Sequence, residues 1–84
     1  EIIDAQNIGL LGDIAVEKNE LEAAAKYFAE AIEASDDEHT YVTYGQKLAL
    51  VYEAMGDEAK AQQCYKDIVK KYPQQERAMA KYIR

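Results

Sequence analysis

The sequence predicts an all-α fold of antiparallel helix pairs stacked side by side, and three observations predict it. Apolar residues recur at helical spacing along the whole chain. Proline occurs once, at Pro73, while alanine, leucine, glutamate, lysine and glutamine abound, so little interrupts a helix. A shift of 37 residues lays Leu11-Gly12 on Leu48-Ala49, Ala24 on Ala61, Phe28 on Tyr65 and Ala31 on Ile68. One helix pair is therefore used twice. With 84 residues the chain is one small domain at most, burying roughly 60–65% of its unfolded surface.

Each element has its own warrant. A first helix is predicted from about Ile2 to Lys18, with Ile8, Leu11, Ile14 and Ala15 as its inward stripe, and Asn19-Glu20 breaks it. A second, from about Glu20 to Ala34, carries Leu21, Ala24, Phe28, Ala31 and Ile32 at inward spacing. The run Ser35-Asp36-Asp37-Glu38 marks a turn whose acids suit the positive N-terminal end of the next helix. That third helix, about Glu38 to Met55, stacks Tyr41, Tyr44, Leu48, Val51 and Tyr52 and ends at Gly56, a good left-handed cap. Asp57 is a natural N-cap for a fourth helix, about Glu58 to Lys71, with Ala61, Tyr65, Ile68, Val69 and Tyr72 inward, lysines in its last turn and Pro73 as its stop. A fifth helix is predicted over Gln75 to Arg84, with Met79, Tyr82 and Ile83 on its apolar face.

Composition excludes several functions. A lone cysteine, Cys64, leaves no internal disulfide framework, and a lone histidine, His39, excludes single-chain motifs that need two. A net charge of −6 argues against a nucleic-acid partner. No apolar run approaches the ~18 residues of a membrane span, so no direct membrane contact is expected. Opening at Glu1 without an initiator methionine or a signal peptide, the chain reads as a fragment of a longer protein.

The second copy, with Leu48-Ala49-x-x-Tyr52, Gly56-Asp57, Ala61-x-x-x-Tyr65 and Pro73, resembles the tetratricopeptide repeat signature. The first copy matches it at Leu11-Gly12, Asn19-Glu20 and Ala24-x-x-x-Phe28, with Ala15 in place of the usual tyrosine and Asp36 in place of the usual proline. Small residues at Gly12 and Ala49 let the first helix of each pair approach Ala24 or Ala61 on the second, and Phe28 and Tyr65 fill the space between pairs. The resemblance implies a single domain over 1–84 built as a short superhelix. Repeat one spans about 5–38, repeat two about 42–75, and a helix over about 75–84 either caps the fold or begins another repeat. The period exceeds the usual 34 by three residues, expected in the turn between Ala34 and Tyr41. The Lys-Lys-Tyr-Pro ending and the stretch Glu76-Arg77 to Lys81-Tyr82-Ile83 also look like the C-terminal repeats of bacterial envelope tetratricopeptide proteins of the ancillary translocon-subunit type, which implies a parent protein in the bacterial envelope.

By the same resemblance the first helix of each pair lines a concave surface where a protein or peptide binds. Carried onto this chain, that surface comprises Gln6, Gly9, Asp13, Val16 and Glu17 from the first helix, and Thr43, Gln46, Leu50, Glu53 and Ala54 from the third. The alternative is that these are the solvated faces of two helices. Some members hold an acidic peptide C-terminus in a clamp of lysine and asparagine; Gly9 and Asp13 stand at two of those places, so no carboxylate clamp is expected. The seven tyrosines, Tyr27, Tyr41, Tyr44, Tyr52, Tyr65, Tyr72 and Tyr82, sit mostly at core spacing and read as layer-filling rings rather than a base-stacking platform. Asp36-x-x-His39 lacks the second arm that a carboxylate-bridged metal site needs, so no metal is expected. Cys64, among Gln62, Gln63 and Lys66, reads as a partly buried inert thiol, and Gly9-x-x-Gly12 lies inside a helix and is no phosphate loop.

The sequence thus points to a non-enzymatic scaffold, without catalytic residues or cofactors, that binds a protein or peptide along its concave face. The alternative is a structural segment that stacks on further repeats or a second chain. Charge favours weak self-association: eleven acids stand against two lysines through Val42, and eight bases against five acids beyond it. Head-to-tail contact would therefore be attractive and salt-sensitive, with Ile2, Ile3 and Leu10 uncovered at the start of the chain.

Overall fold

The computed structural model describes residues 4–84. Four helices follow one another: α1 (Ala5–Glu17), α2 (Leu21–Ala34), α3 (Glu38–Ala54) and α4 (Glu58–Lys71). A 3₁₀ turn (Pro73–Gln75) then runs into the single-turn helix α5 (Glu76–Met79), and the described residues contain no strand. The expected start of the first helix at Ile2, and the uncovered Ile2 and Ile3, lie outside the described residues.

Local chemistry sets the helix ends. Asp4, Asp37 and Asp57 each accept a hydrogen bond from the backbone N–H three residues on, at 2.9, 3.0 and 3.1 Å. Each satisfies one orphan donor of a helix start. No side chain does this for α2, which begins after Glu20. The stops of α1 and α3 are one device used twice: Asn19 and Gly56, 37 residues apart, both take positive φ, at 60° and 81°. The following N–H groups, of Glu20 and Asp57, donate back to the carbonyls of Ala15 and Tyr52, both at 2.8 Å. This is the bonding of a Schellman stop. The three extra residues of the period fall within the expected span but are not loop. Positions 35–37 form the turn, and α3 has 17 residues where α1 has 13, so the excess adds a turn of helix at the start of α3.

The chain reverses at each three-residue turn, so α1 packs on α2, α2 on α3 and α3 on α4, with α1 also touching α3. Two apolar clusters result. The first joins α1, α2 and α3 through Ala15, Ala24, Phe28, Ala31, Tyr44, Leu48 and Val51; the second joins Ala49, Ala61, Tyr65, Ile68 and Met79. Ala24, Ala31, Ala49, Ala61 and Ile68 are fully buried, as close pairing of helices requires.

Two expectations need correction. The inward stripe of α1 is not Ile8, Leu11, Ile14 and Ala15 but Ala5, Gly9, Gly12 and Ala15, with Ile8 half-buried. Leu11 and Ile14 remain 42% and 46% exposed, beside Leu10 at 57%. The cause is two aromatic rings. Phe28 of α2 lies so close over Gly12 that a Cβ there would sit 2.6 Å from the ring, and Tyr44 of α3 covers Gly9 in the same way. Only a small-residue stripe admits both rings, so α1 turns its larger side chains outward.

The fifth helix also does not extend to Arg84; it ends at Met79. Beyond the stop, Gln62 on α4 holds the chain end. Its amide donates to the carbonyl of Tyr82 at 2.6 Å and accepts from the Arg84 N–H at 2.7 Å, so the Arg84 N–H bonds a side chain of α4 and not the carbonyl of Ala80. The Tyr82 ring stacks on Tyr65 with centroids 4.8 Å apart, Met79 is buried, and Arg84 pairs with Glu58 at 3.1 Å. Residues 80–84 therefore lie against α4.

Candidate functional site

The sequence-derived surface residues fall in different places. Asp13, Val16 and Glu17 of α1 and Leu50 and Ala54 of α3 line one groove of about 510 Å³, whose floor is Leu21, Phe28 and Val51 and whose wall includes Lys47. Thr43, Gln46 and Leu50 line a neighbouring hollow of about 290 Å³ with Lys47, Tyr65 and Tyr82. Lys47 and Leu50 border both. Gln6 instead faces a small hollow near the start of α1 with Asp4, Ala34, Asp36, Asp37 and Thr40. Gly9 is not open to a ligand because Tyr44 covers it, and Glu53, half-buried, borders none of these hollows.

The helical period explains the grouping. Asp13, Val16 and Glu17 recur three and four apart on α1; Lys47, Leu50, Val51 and Ala54 do the same on α3. Leu50 is 58% exposed and Val16 42%, so the lip of the groove offers branched apolar side chains to solvent. Exposed apolar surface gathered around a concavity marks a binding surface more than singly scattered residues do.

One ion pair crosses this surface. Lys47 donates to the Asp13 carboxylate at 2.9 Å, joining α3 to α1. The same ammonium stands 5.9 Å from the Phe28 ring centroid and 5.8 Å from that of Tyr44. Both partners are well exposed, so the pair contributes at most ~1 kcal/mol to stability. Its larger consequence is electrostatic. Lys47 is held by Asp13, whereas Glu17 joins no ion pair among the described residues.

Burial pushes the Cys64 thiol up to about 11, helped by Asp67, so thiolate is scarce near neutral pH. Burial also raises the Tyr65 and Tyr41 hydroxyls. The Thr40 N–H, donating to Asp37 at the start of α3, lowers that carboxyl. The described residues hold no group of three or more metal-ligating side chains, and no helix is long and apolar enough to cross a membrane.

The sequence reading did not single out Lys47, Leu21, Phe28 or Val51 as groove residues. Phe28, Leu21 and Val51 read as core, and Phe28 and Val51 are buried there, at 1% and 5% exposure; with half-buried Leu21 they also close the bottom of the groove. For Lys47 a signal existed in the acidic Asp13 of the first helix, but only the fold brings residues 34 apart in sequence together.

Comparison with known families agrees with this architecture. Tetratricopeptide repeat models match residues 5–38 and residues 46–74, which together take in most of the chain. The chain belongs to the tetratricopeptide repeat family. No curated protein and no solved structure matches it. Repeats of this type are non-catalytic interaction scaffolds whose partners are in general other proteins.

Proposed function

We propose that the chain binds a peptide segment of another protein in the groove between α1 and α3. The observation that carries this reading is the apolar lip and floor of the 510 Å³ groove, with Leu50 and Val16 presented to solvent on a preformed surface. Helices held in place by Phe28, Tyr44 and the Asp13–Lys47 pair fix the groove before a ligand arrives, so less ordering entropy is lost on binding. Selecting peptides against the chain from a random display library, then measuring them on Leu50→Ser, tests it. The selected peptides should lose most of their affinity, and undiminished binding to that variant would overturn the reading.

A second reading, a segment that stacks on further repeats, has one observation in its favour. Leu10, Leu11 and Ile14 are exposed on α1 away from its buried stripe, where a preceding helix pair would lie. Peptides that lose affinity for Leu10→Ser but keep it for Leu50→Ser would favour this reading over the groove.

A further inference from the structure

We infer that the segment taken by this groove carries one branched or aromatic apolar side chain flanked by lysine or arginine. The inference rests on the groove being a peptide site and adds the chemistry of what enters it.

Shape and charge point the same way. The floor of Leu21, Phe28 and Val51 and the lip of Val16 and Leu50 form an apolar socket, and 510 Å³ lies within the ~300–1,000 Å³ usual for ligand sites. Three charged groups border it, Asp13, Glu17 and Lys47. The lysine is engaged by Asp13 at 2.9 Å and sits over two rings, so its charge is already offset and an incoming carboxylate gains less from it than from an unpaired cation. Glu17 has no such partner among the described residues and stands on the rim. The half of the chain that contributes α1 and α2 carries eleven acids against two lysines, so the field over the rim adds to the pull of Glu17 on a cation. An apolar side chain therefore gains by entering the socket, and a neighbouring cation gains by facing Glu17.

A second copy of this chain is a poorer occupant. Its bases are concentrated after Val42, and the apolar residues beside the last of them are already engaged: Met79 is buried, Tyr82 stacks on Tyr65, and Arg84 pairs with Glu58.

Fluorescence anisotropy with labelled synthetic heptapeptides tests the inference. One peptide has a leucine between two lysines, with serine and glycine at either end. A second replaces both lysines by glutamate, and a third replaces the leucine by serine. Each is titrated against the unaltered chain, Glu17→Lys and Leu50→Ser, two exposed positions whose folding is checked by circular dichroism. The lysine–leucine peptide should bind tightest and lose roughly tenfold when either its leucine or Leu50 is replaced by serine. Glu17→Lys should weaken it by roughly three- to tenfold and strengthen the glutamate peptide. A glutamate peptide binding as tightly as the lysine peptide, or a preference unchanged by Glu17→Lys, would overturn the inference; a loss on Leu50→Ser would still leave the groove standing. No binding of the lysine–leucine peptide also overturns the inference. If peptides found by library selection bind Leu50→Ser undiminished, the groove itself fails. Concentration-dependent dimerisation abolished by Leu50→Ser would identify a second copy as the occupant instead, again against the inference.

Discussion

The first and second helix pairs stop their leading helices identically but bury them differently. Asn19 and Gly56 hold equivalent left-handed positions, and the same carbonyl of each preceding turn receives the same backbone bond. Yet α1 buries alanine and glycine and leaves Leu10, Leu11 and Ile14 outside, whereas α3 buries Tyr44, Leu48 and Val51. The difference is one of neighbours. α3 lies between α2 and α4 and is covered on both sides, while among the described residues α1 has helices on one side alone. A turn is written in two or three residues of sequence; the burial of a helix depends on what stands around it.

The largest expected effects come from the rings that occupy equivalent positions in the two pairs. Phe28 and Tyr65 are almost fully buried, so Phe28→Ala and Tyr65→Ala should each cost about 3–5 kcal/mol in urea or guanidinium unfolding. A cost under about 1 kcal/mol for one of them would show that its pair does not share the common core. Next come the fully buried alanines of the close helix contacts. Ala24→Leu and Ala61→Leu should each destabilise by ~1–3 kcal/mol, because added volume at a close contact forces side chains off rotamer. Near-neutral denaturant midpoints for both would mean that the repeat register is misplaced.

The helix stops should respond with opposite signs. Gly56→Ala puts a Cβ into a φ of 81° and should destabilise by about 1–2 kcal/mol, although nothing crowds the site. Asn19→Gly relieves the milder strain at φ 60° and should stabilise by a few tenths to about 1 kcal/mol. Equal and small responses at both would deny that the two stops are one device. The smallest effect sharpens the remaining contrast. α4 has the side-chain cap of Asp57 and α2 has none, so Glu20→Asp should raise the thermal midpoint slightly, by at most ~1 kcal/mol of stability.

Legibility in the sequence followed the range of the interactions. Asp57, Gly56 and Pro73 announced their turns because the residue that caps, reverses or breaks a helix does so within its own few neighbours. The burial of Phe28 and Tyr65 was legible from helical spacing and the repeat. The inward stripe of α1 was not, because hydropathy favours Leu11 and Ile14 for the core, and only the rings of Phe28 and Tyr44 show that glycine is what fits. The end of α5 was missed for a similar reason: contacts with α4, among them Gln62, twenty residues before Tyr82, and the Tyr65 ring, hold residues 80–84 and are not visible in local spacing. Of the groove, Asp13, Glu17 and Leu50 were visible as outward positions; the Asp13–Lys47 pair, which leaves Glu17 to set the charge of the rim, depends on the packing of α1 against α3.

The central claim is that binding uses the α1–α3 groove rather than the uncovered face of α1. A ¹⁵N-resolved NMR titration of the chain with a library-selected peptide tests it most directly. Shift changes should concentrate at the amides of Asp13, Val16, Glu17, Lys47, Leu50 and Ala54, with those of Leu10, Leu11 and the Tyr82 region little moved. Changes confined to Leu10, Leu11 and Ile14, with the groove amides unmoved, would contradict it.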